Sequence, residues 1–308
     1  MRRKGFTLVE LLVVIAIIAL LMGILMPALA RVRQLAFRLT CGTNLSGIGK
    51  AMLIYANDYE DELPRAGGRQ STWGAVTWDA PSRYAAYGVD TSGSAGTANI
   101  GSCFYLLVKY AEVTPKSFIC KGDAGTNEFK IQDVVGPGST LELIDLWNFG
   151  PDAWACCSYA YHIPFGKYAL TTSSEPGFAV AADRNPWIQS PAGEPDPQNY
   201  TRFQPDATGY PGTADQARLG NAIAHQNDGQ QVLFLDTHVE FAKRAWCSLE
   251  DDNIYLTSER NDGKGSIRGN LPVIPGCQPT NRKDSILVHD PDVFTGGPPV
   301  RPPRRPGT

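Results

Sequence analysis

The chain has 308 residues, of which 43% are hydrophobic and 19% charged, enough for one large globular unit or two small ones. A net charge of −3 and a pI near 5.8 exclude the basic footprint of a nucleic-acid-binding protein. Mean hydropathy is slightly negative although the N-terminus is strongly apolar, so the remainder reads as a rather polar soluble unit carried on a hydrophobic stem.

The chain opens MRRKGFTLVELLVVIAIIALLMGILMPALARVR. Arg2, Arg3 and Lys4 come first, then the single acid Glu10, then Leu11 to Ala30 without a charge. Twenty helical residues span about 30 Å, the thickness of a bilayer's hydrocarbon core, so Leu11 to Ala30 qualifies as a membrane helix. The same residues contain the parts of a secretory signal, with a basic start and an Ala28-Leu29-Ala30 cleavage-like site. An apolar signal core has only about 7 to 15 residues, however, and an acid at its entrance is out of place. A third reading uses every residue: Gly5-Phe6-Thr7-Leu8-Val9-Glu10 resembles the processing site of a type IV prepilin or type II secretion pseudopilin.

That resemblance implies cleavage after Gly5 by a prepilin peptidase on the cytoplasmic side and methylation of the new N-terminus on Phe6. The apolar segment is then retained. An acid inside a bilayer costs roughly 2.5–3.5 kcal/mol on insertion scales and normally has a partner. In the family the acid is the fifth mature residue and neutralises the N-terminal amine of a neighbouring subunit, a place that Glu10 takes here. Locally, Thr7-x-x-Glu10 is also a capping box, and both roles are compatible. Arg31, Arg33 and Arg38 follow the apolar run closely, so the positive-inside rule does not separate its ends. A cytoplasmic leader and an outer bulk are implied by the resemblance alone.

Beyond the apolar run, Val32, Leu35 or Ala36, and Leu39 repeat at helical spacing. Leu45, Ile48, Met52, Tyr55 and Tyr59 resume it about one residue out of phase, with Gly42, Gly47 and Gly49 around the slip. The pattern predicts one helix from Thr7 to about Tyr59, with breaks or bends allowed near Pro27 and Gly42, and stopped by Leu63-Pro64.

CGTNLSGIGKAMLIYANDYEDELP, from Cys41 to Pro64, is similar to the segment after the stem in large prepilin-like proteins common in planctomycetes. Those proteins often end in a histidine, nine residues and Asp-Gly, followed by a His-Val strand. HQNDGQQVLFLDTHVEF, from His225 to Phe241, departs from this with ten intervening residues and Thr237 in place of glycine. Ser117-Phe118-Ile119-Cys120 and Ser158-Tyr159-Ala160-Tyr161 are fainter echoes.

The middle of the chain reads coarsely. Gly88 to Ser102 is expected as a long loop, Cys103 to Glu112 as a short amphipathic helix closed by Pro115, and Phe118 to Cys120 as a strand. Phe178-Ala179-Val180-Ala181 is one of several strands expected between Leu141 and Ala182, and Ser190 to Gly212 is a second long loop. Val232–Leu235 and His238–Phe241 are expected to pair around Asp236-Thr237, although Asp-Gly suits a tight turn better.

His225, Asp236 and His238 have the composition of a facial triad for a catalytic metal. The alternative makes Asp236 a turn former, His238 a strand residue and His225 a loop residue bonded to backbone. Asp228-Gly229, Asp251-Asp252-Asn253 and Asn261-Asp262-Gly263 are acidic turns with oxygen ligands for calcium, but no EF-hand loop is present and no calcium site is located. Nucleophile-elbow, P-loop and dinucleotide motifs are missing from the sequence, so catalysis has no motif. The seven cysteines, at 41, 103, 120, 156, 157, 247 and 277, form no CxxC pair. Cys156, Cys157 and His162 make one weak zinc neighbourhood; one to three disulfides of an exported domain, of unreadable pairing, are the stronger expectation.

The expected fold is therefore α+β and pilin-like: a leader over 1–5, a helix over 6–60 spanning a membrane at 11–30, a globular unit over 61–290 and a disordered Pro-rich tail over 291–308. The helix is expected to pack on a small antiparallel sheet with large loop insertions. The resemblance implies a structural filament subunit rather than an enzyme. Its partners would be the prepilin peptidase, other pilin or pseudopilin subunits, an inner-membrane assembly machinery and membrane lipid. It would cross the inner membrane once, with the globular unit in the periplasm or on the cell surface. The competing class is a membrane-anchored extracytoplasmic binding protein or metal-dependent enzyme using His225, Asp236 and His238.

Overall fold

The computed structural model describes residues 7–90, 92–93, 95–136, 138–292 and 294. The elements run α1 (Leu8–Asp58), β1 (Thr72–Trp73), α2 (Arg83–Tyr87), β2 (Thr97–Ala98), α3 (Ile100–Tyr110), β3 (Tyr159–His162), β4 (Ala179–Asp183), α4 (Pro197–Arg202), α5 (Ala214–Arg218), β5 (Gln230–Phe234), β6 (Val239–Ala242), β7 (Thr257–Ser258), β8 (Gly269–Asn270) and β9 (Leu287–Val288). The class is α+β, as expected.

One helix of 51 residues dominates. Thr7 caps it: its hydroxyl accepts the Glu10 N–H at 3.3 Å, and the Glu10 carboxylate accepts the Thr7 N–H at 2.9 Å. At 1.5 Å per residue the helix is about 76 Å long. Pro27 lies inside it without ending it. The carbonyl that a proline crowds belongs to the residue four places back, here Gly23, whose backbone gives way most easily. Past Asp58 the chain turns away through Glu60 and Asp61, both in the left-handed region.

Gly42 does not break α1 either. A Cβ on Gly42 would sit 3.2 Å from Gln231 Oε1, and one on Gly49 only 2.6 Å from Leu233 Cδ1. These glycines let the helix backbone lie directly on β5. The phase slip marks a change of partner. Val32, Leu35 and Leu39 are exposed, whereas Cys41, Leu45, Ile48, Met52 and Tyr55 are buried. The second stripe faces the chain's own sheet, and the first does not.

That sheet has five strands in the order β6-β5-β4-β3-β9, antiparallel throughout. Alternation sends Tyr159, Tyr161, Ala181, Leu233 and Val288 to the core shared with α1 and α3. It sends Ala160, Ala182, Val232, Phe234 and Leu287 to a second core with Ala245, Ile254 and Tyr255. Both faces are covered, which gives three layers: helices, sheet and the C-terminal loops. At roughly 25 cal/mol per Å2, the buried rings of Phe104, Phe118, Phe149 and Tyr161 make the helical side the larger apolar contribution.

Several expectations are corrected. Phe118 to Cys120 is not a strand; a 3-10 turn over Pro115–Phe118 runs into an extended Ile119. The Gly88 to Ser102 loop contains β2 and the start of α3, where Asn99 and Ser102 form a second capping box. Ser190 to Gly212 contains α4, started by the Asp196 cap and Pro197. In the β5–β6 hairpin, β5 starts two residues earlier and ends one residue earlier than expected and β6 lies one residue later, with the Phe234 N–H donating to the His238 carbonyl to close a three-residue loop. Of the tail expected over 291–308, residues 293 and 295–308 lie outside the described residues.

Candidate functional site: the free stem and its clasp

From Thr7 to Arg33 every residue of the stem is exposed, including large apolar side chains such as Leu20 and Leu29. This helix is long and apolar enough to cross a membrane. Glu10 stands at its mouth, its carboxylate held by the Thr7 N–H and by the Thr7 hydroxyl at 2.7 Å. Gly5 and Phe6 lie outside the described residues.

The stem is gripped over its C-terminal half. Arg38 donates to Asp228 at 2.5 Å and stacks over Phe241 at 4.5 Å, while its carbonyl accepts from the Gln231 amide at 2.8 Å. One turn on, Cys41 is disulfide-bonded to Cys120, 79 residues away. Asn44 then donates to the Ile119 carbonyl at 3.1 Å. The segment His225-Gln226-Asn227-Asp228-Gly229 supplies much of the opposite jaw. Asp228 holds both Arg38 and Arg218, and Asn227 exchanges amide bonds of 3.0 Å with Asn221. Gly229 has a φ of +156° and packs where a Cβ would strike β6.

Beneath the clasp four side chains from four segments converge. Cys41 of α1, Cys120, Asp183 at the end of β4 and His225 bring their ligand-type atoms within 4.8 Å of one another, all buried. His225 Nε2 is 3.1 Å from Asp183 Oδ2 and 3.9 Å from Cys120 Sγ. Asp183 Oδ2 also accepts the Gln231 N–H at 2.7 Å, while Oδ1 is buried without a hydrogen-bond partner. Next to this group, Arg184 pairs with Asp123 at 2.9 Å; burial pushes the Asp123 carboxyl up to about 6 against the pull of Arg184.

The triad read from sequence does not assemble. Asp236 and His238 bond to each other at 2.5 Å in the exposed β5–β6 loop, and the His238 ring stacks on Phe234. His225 sits by Gln231 at the other end of β5, so roughly 15 Å of strand separates it from Asp236. Asp236 is therefore a turn residue, His238 stands in the loop just ahead of β6 rather than in the strand, and His225 belongs to the buried group. Cys156, Cys157 and His162 do not converge on one another either: His162 faces the Tyr168 carbonyl at 3.3 Å and the Cys157 thiol faces the Tyr159 carbonyl. The acidic turns have internal partners. Asp252 accepts from Ser266 and Ser285, and Asp262 pairs with Arg260.

Sequence reading missed Cys120 and Asp183 as neighbours of His225. Both stand in quoted or apolar runs, SFIC and FAVAAD, but no spacing links them to His225 across 105 and 42 residues. Only the topology does.

An exposed apolar stem with an acid at its mouth is consistent with a membrane-anchored helix. Residues 1–26 match the family model described as the prokaryotic N-terminal methylation motif. With the long apolar helix that follows, the chain fits a prepilin-like protein, consistent with membrane anchoring. Neither curated proteins nor solved structures yield a match.

Proposed function

We propose that the protein is a structural subunit of a type II secretion pseudopilus or type IV pilus-like filament. A prepilin peptidase cleaves it after Gly5 and methylates Phe6. Subunits then assemble through their stems at the inner membrane, with the globular unit outside. The observation that carries this reading is the methylation motif over 1–26, continuous with a stem that the chain itself leaves uncovered from Thr7 to Arg33. Apolar helix faces with no partner in their own chain are covered by lipid before assembly and by neighbouring stems after it. Contacts of this head-to-tail kind do not close and produce a helical filament. Glu10 then faces the amine on Phe6 of the next subunit, which removes the cost of an unpaired acid at membrane depth. The role is mechanical rather than catalytic.

The test uses Glu10→Gln, because glutamine keeps the capping box but not the charge. The mature N-terminus of the native protein is read by mass, and filament assembly is scored. The reading expects a chain beginning at Phe6 in both forms, and normal methylation and assembly in the wild type alone. A mature chain beginning at Arg31, or full assembly by Glu10→Gln, defeats it.

A further inference from the structure

The buried group under the clasp has a chemistry that neither the stem nor the filament reading uses. Two thiol-derived sulfurs, one imidazole nitrogen and one carboxylate form a complete ligand set for a thiophilic divalent ion such as Zn2+. We propose that Cys41, Cys120, Asp183 and His225 are a redox-gated zinc site, closed as a disulfide when oxidised and tetrahedrally metal-bound when reduced.

The geometry is nearly in place. With metal–ligand distances of about 2.0–2.3 Å, the edges of a tetrahedral site are about 3.3–3.8 Å. The observed separations are 3.1 Å between His225 Nε2 and Asp183 Oδ2 and 3.9 Å between His225 Nε2 and Cys120 Sγ. The two bonded sulfurs must move apart, and the remaining ligand atoms already lie within 4.8 Å of one another. Asp183 contributes a second observation: its Oδ1 is wholly buried with no hydrogen-bond partner, a costly arrangement for a carboxylate and one that a bound cation resolves. Access is present as well. A groove lined by Phe37, Arg38, Lys121, Gly122 and Ile223 reaches His225 from the surface, and its cations suit an incoming thiolate.

The step balances with a thiol as reductant. Two RSH molecules convert the Cys41–Cys120 disulfide to two thiols and leave as RS–SR, transferring two electrons and two protons. Zn2+ then displaces both thiol protons and binds the two thiolates, the Asp183 carboxylate and His225 Nε2, and the proton that Nε2 shares with Asp183 in the oxidised state moves to Nδ1. Because Cys41 lies on the stem and the other three ligands on the globular unit, either state ties the two together. The metal replaces the covalent bond rather than releasing the stem.

The experiment uses the full chain in detergent micelles, oxidised or reduced with a phosphine, incubated with ZnSO4 and desalted. Elemental analysis is expected to give one zinc per reduced chain and none per oxidised chain. Co2+ in place of zinc should show the visible bands of a tetrahedral ion with thiolate charge transfer. Asp183→Asn is expected to weaken zinc binding at least tenfold, and a Cys41→Ser, Cys120→Ser double variant to abolish it. No zinc on the reduced wild-type chain overturns the proposal. So does undiminished zinc in the double variant, which would put the ion on the other thiols. The cobalt spectrum of the wild type needs no variant to fold.

Discussion

Gly49 of the stem and Leu233 of β5 meet so closely that a Cβ on residue 49 would lie 2.6 Å from the leucine Cδ1. Gly47, two residues earlier, is exposed with nothing within 4 Å of that position. The two glycines therefore separate helix propensity from packing. Gly47→Ala should stabilise the protein by about 0.5–1 kcal/mol, the usual gain for removing glycine from a helix. Gly49→Ala gains the same propensity but overpacks a buried face, at a cost of about 1–3 kcal/mol. Its net effect should be a loss of about 1 kcal/mol. Denaturant midpoints of the two variants check the opposite signs.

The Cys41–Cys120 bond closes a loop across a separation of 79 residues. On the chain-entropy account such a crosslink stabilises by about 4 kcal/mol. Reduction in the presence of a chelator should therefore lower stability by roughly 2–5 kcal/mol, and Cys41→Ala with Cys120→Ala should match it. The five remaining thiols should contribute little to native alkylation. Burial holds Cys103, Cys157 and Cys277 up at about 12 and Cys156 at about 11, so few thiolates exist at neutral pH.

His162 is enclosed against Phe178, and burial pushes its imidazole down to about 4. Its folded pKa lies below its unfolded value of about 6.5, so the folded state excludes the proton. The stability it contributes is fully present above about pH 6.5 and is lost as the pH falls towards 4. The loss amounts to roughly 3 kcal/mol, at 1.4 kcal/mol per pKa unit. Subtracting the His162→Gln stability profile from the wild-type profile isolates this slope from the buried carboxylates. A difference flat between pH 6.5 and 4 would contradict the assignment.

Thr237 has a φ of +70°, closing the loop in which its N–H donates to the Phe234 carbonyl at 2.9 Å. A β-branched residue in the left-handed region is strained by about 1–2 kcal/mol. Glycine relieves that strain and gives back part of it as unfolded-chain entropy. Thr237→Gly should raise stability by about 0.5–1 kcal/mol and leave the hairpin unchanged, a shift of a few degrees in melting temperature.

The stem was the most legible element, since its capping box, apolar run and second stripe are all local patterns. Leu45, Ile48, Met52 and Tyr55 are buried as their spacing predicts. The hairpin after His225 was legible in outline, and Thr237 was recognised as an ill-suited turn residue. What local pattern did not reveal was destination. Gly42 and Gly49 read as weak points in a helix and are close-approach sites instead, because the decisive partner, β5, lies nearly 190 residues on. Phe118-Ile119-Cys120 has strand-forming residues, yet the disulfide at Cys120 and the bond from Asn44 to Ile119 commit it to the stem. His225 was read with Asp236 and His238 by closeness in sequence. A β-strand carries its two ends apart, and β5 runs between them.

The grip on the stem begins at Arg38 and Cys41, so about 30 residues of helix extend beyond it. At 1.5 Å per residue that is an arm about 45 Å long, rigid along its axis. A pull on the arm's tip is delivered first to the Arg38–Asp228 pair, which yields, and then to a sulfur–sulfur bond, which does not. Beyond that bond the load enters the chain at Cys120, ahead of every strand of the five-stranded sheet. The stem cannot slide off its domain like a loosely packed helix. Drawing it out means tearing open the core it anchors, so the arm and the body bear tension as one piece.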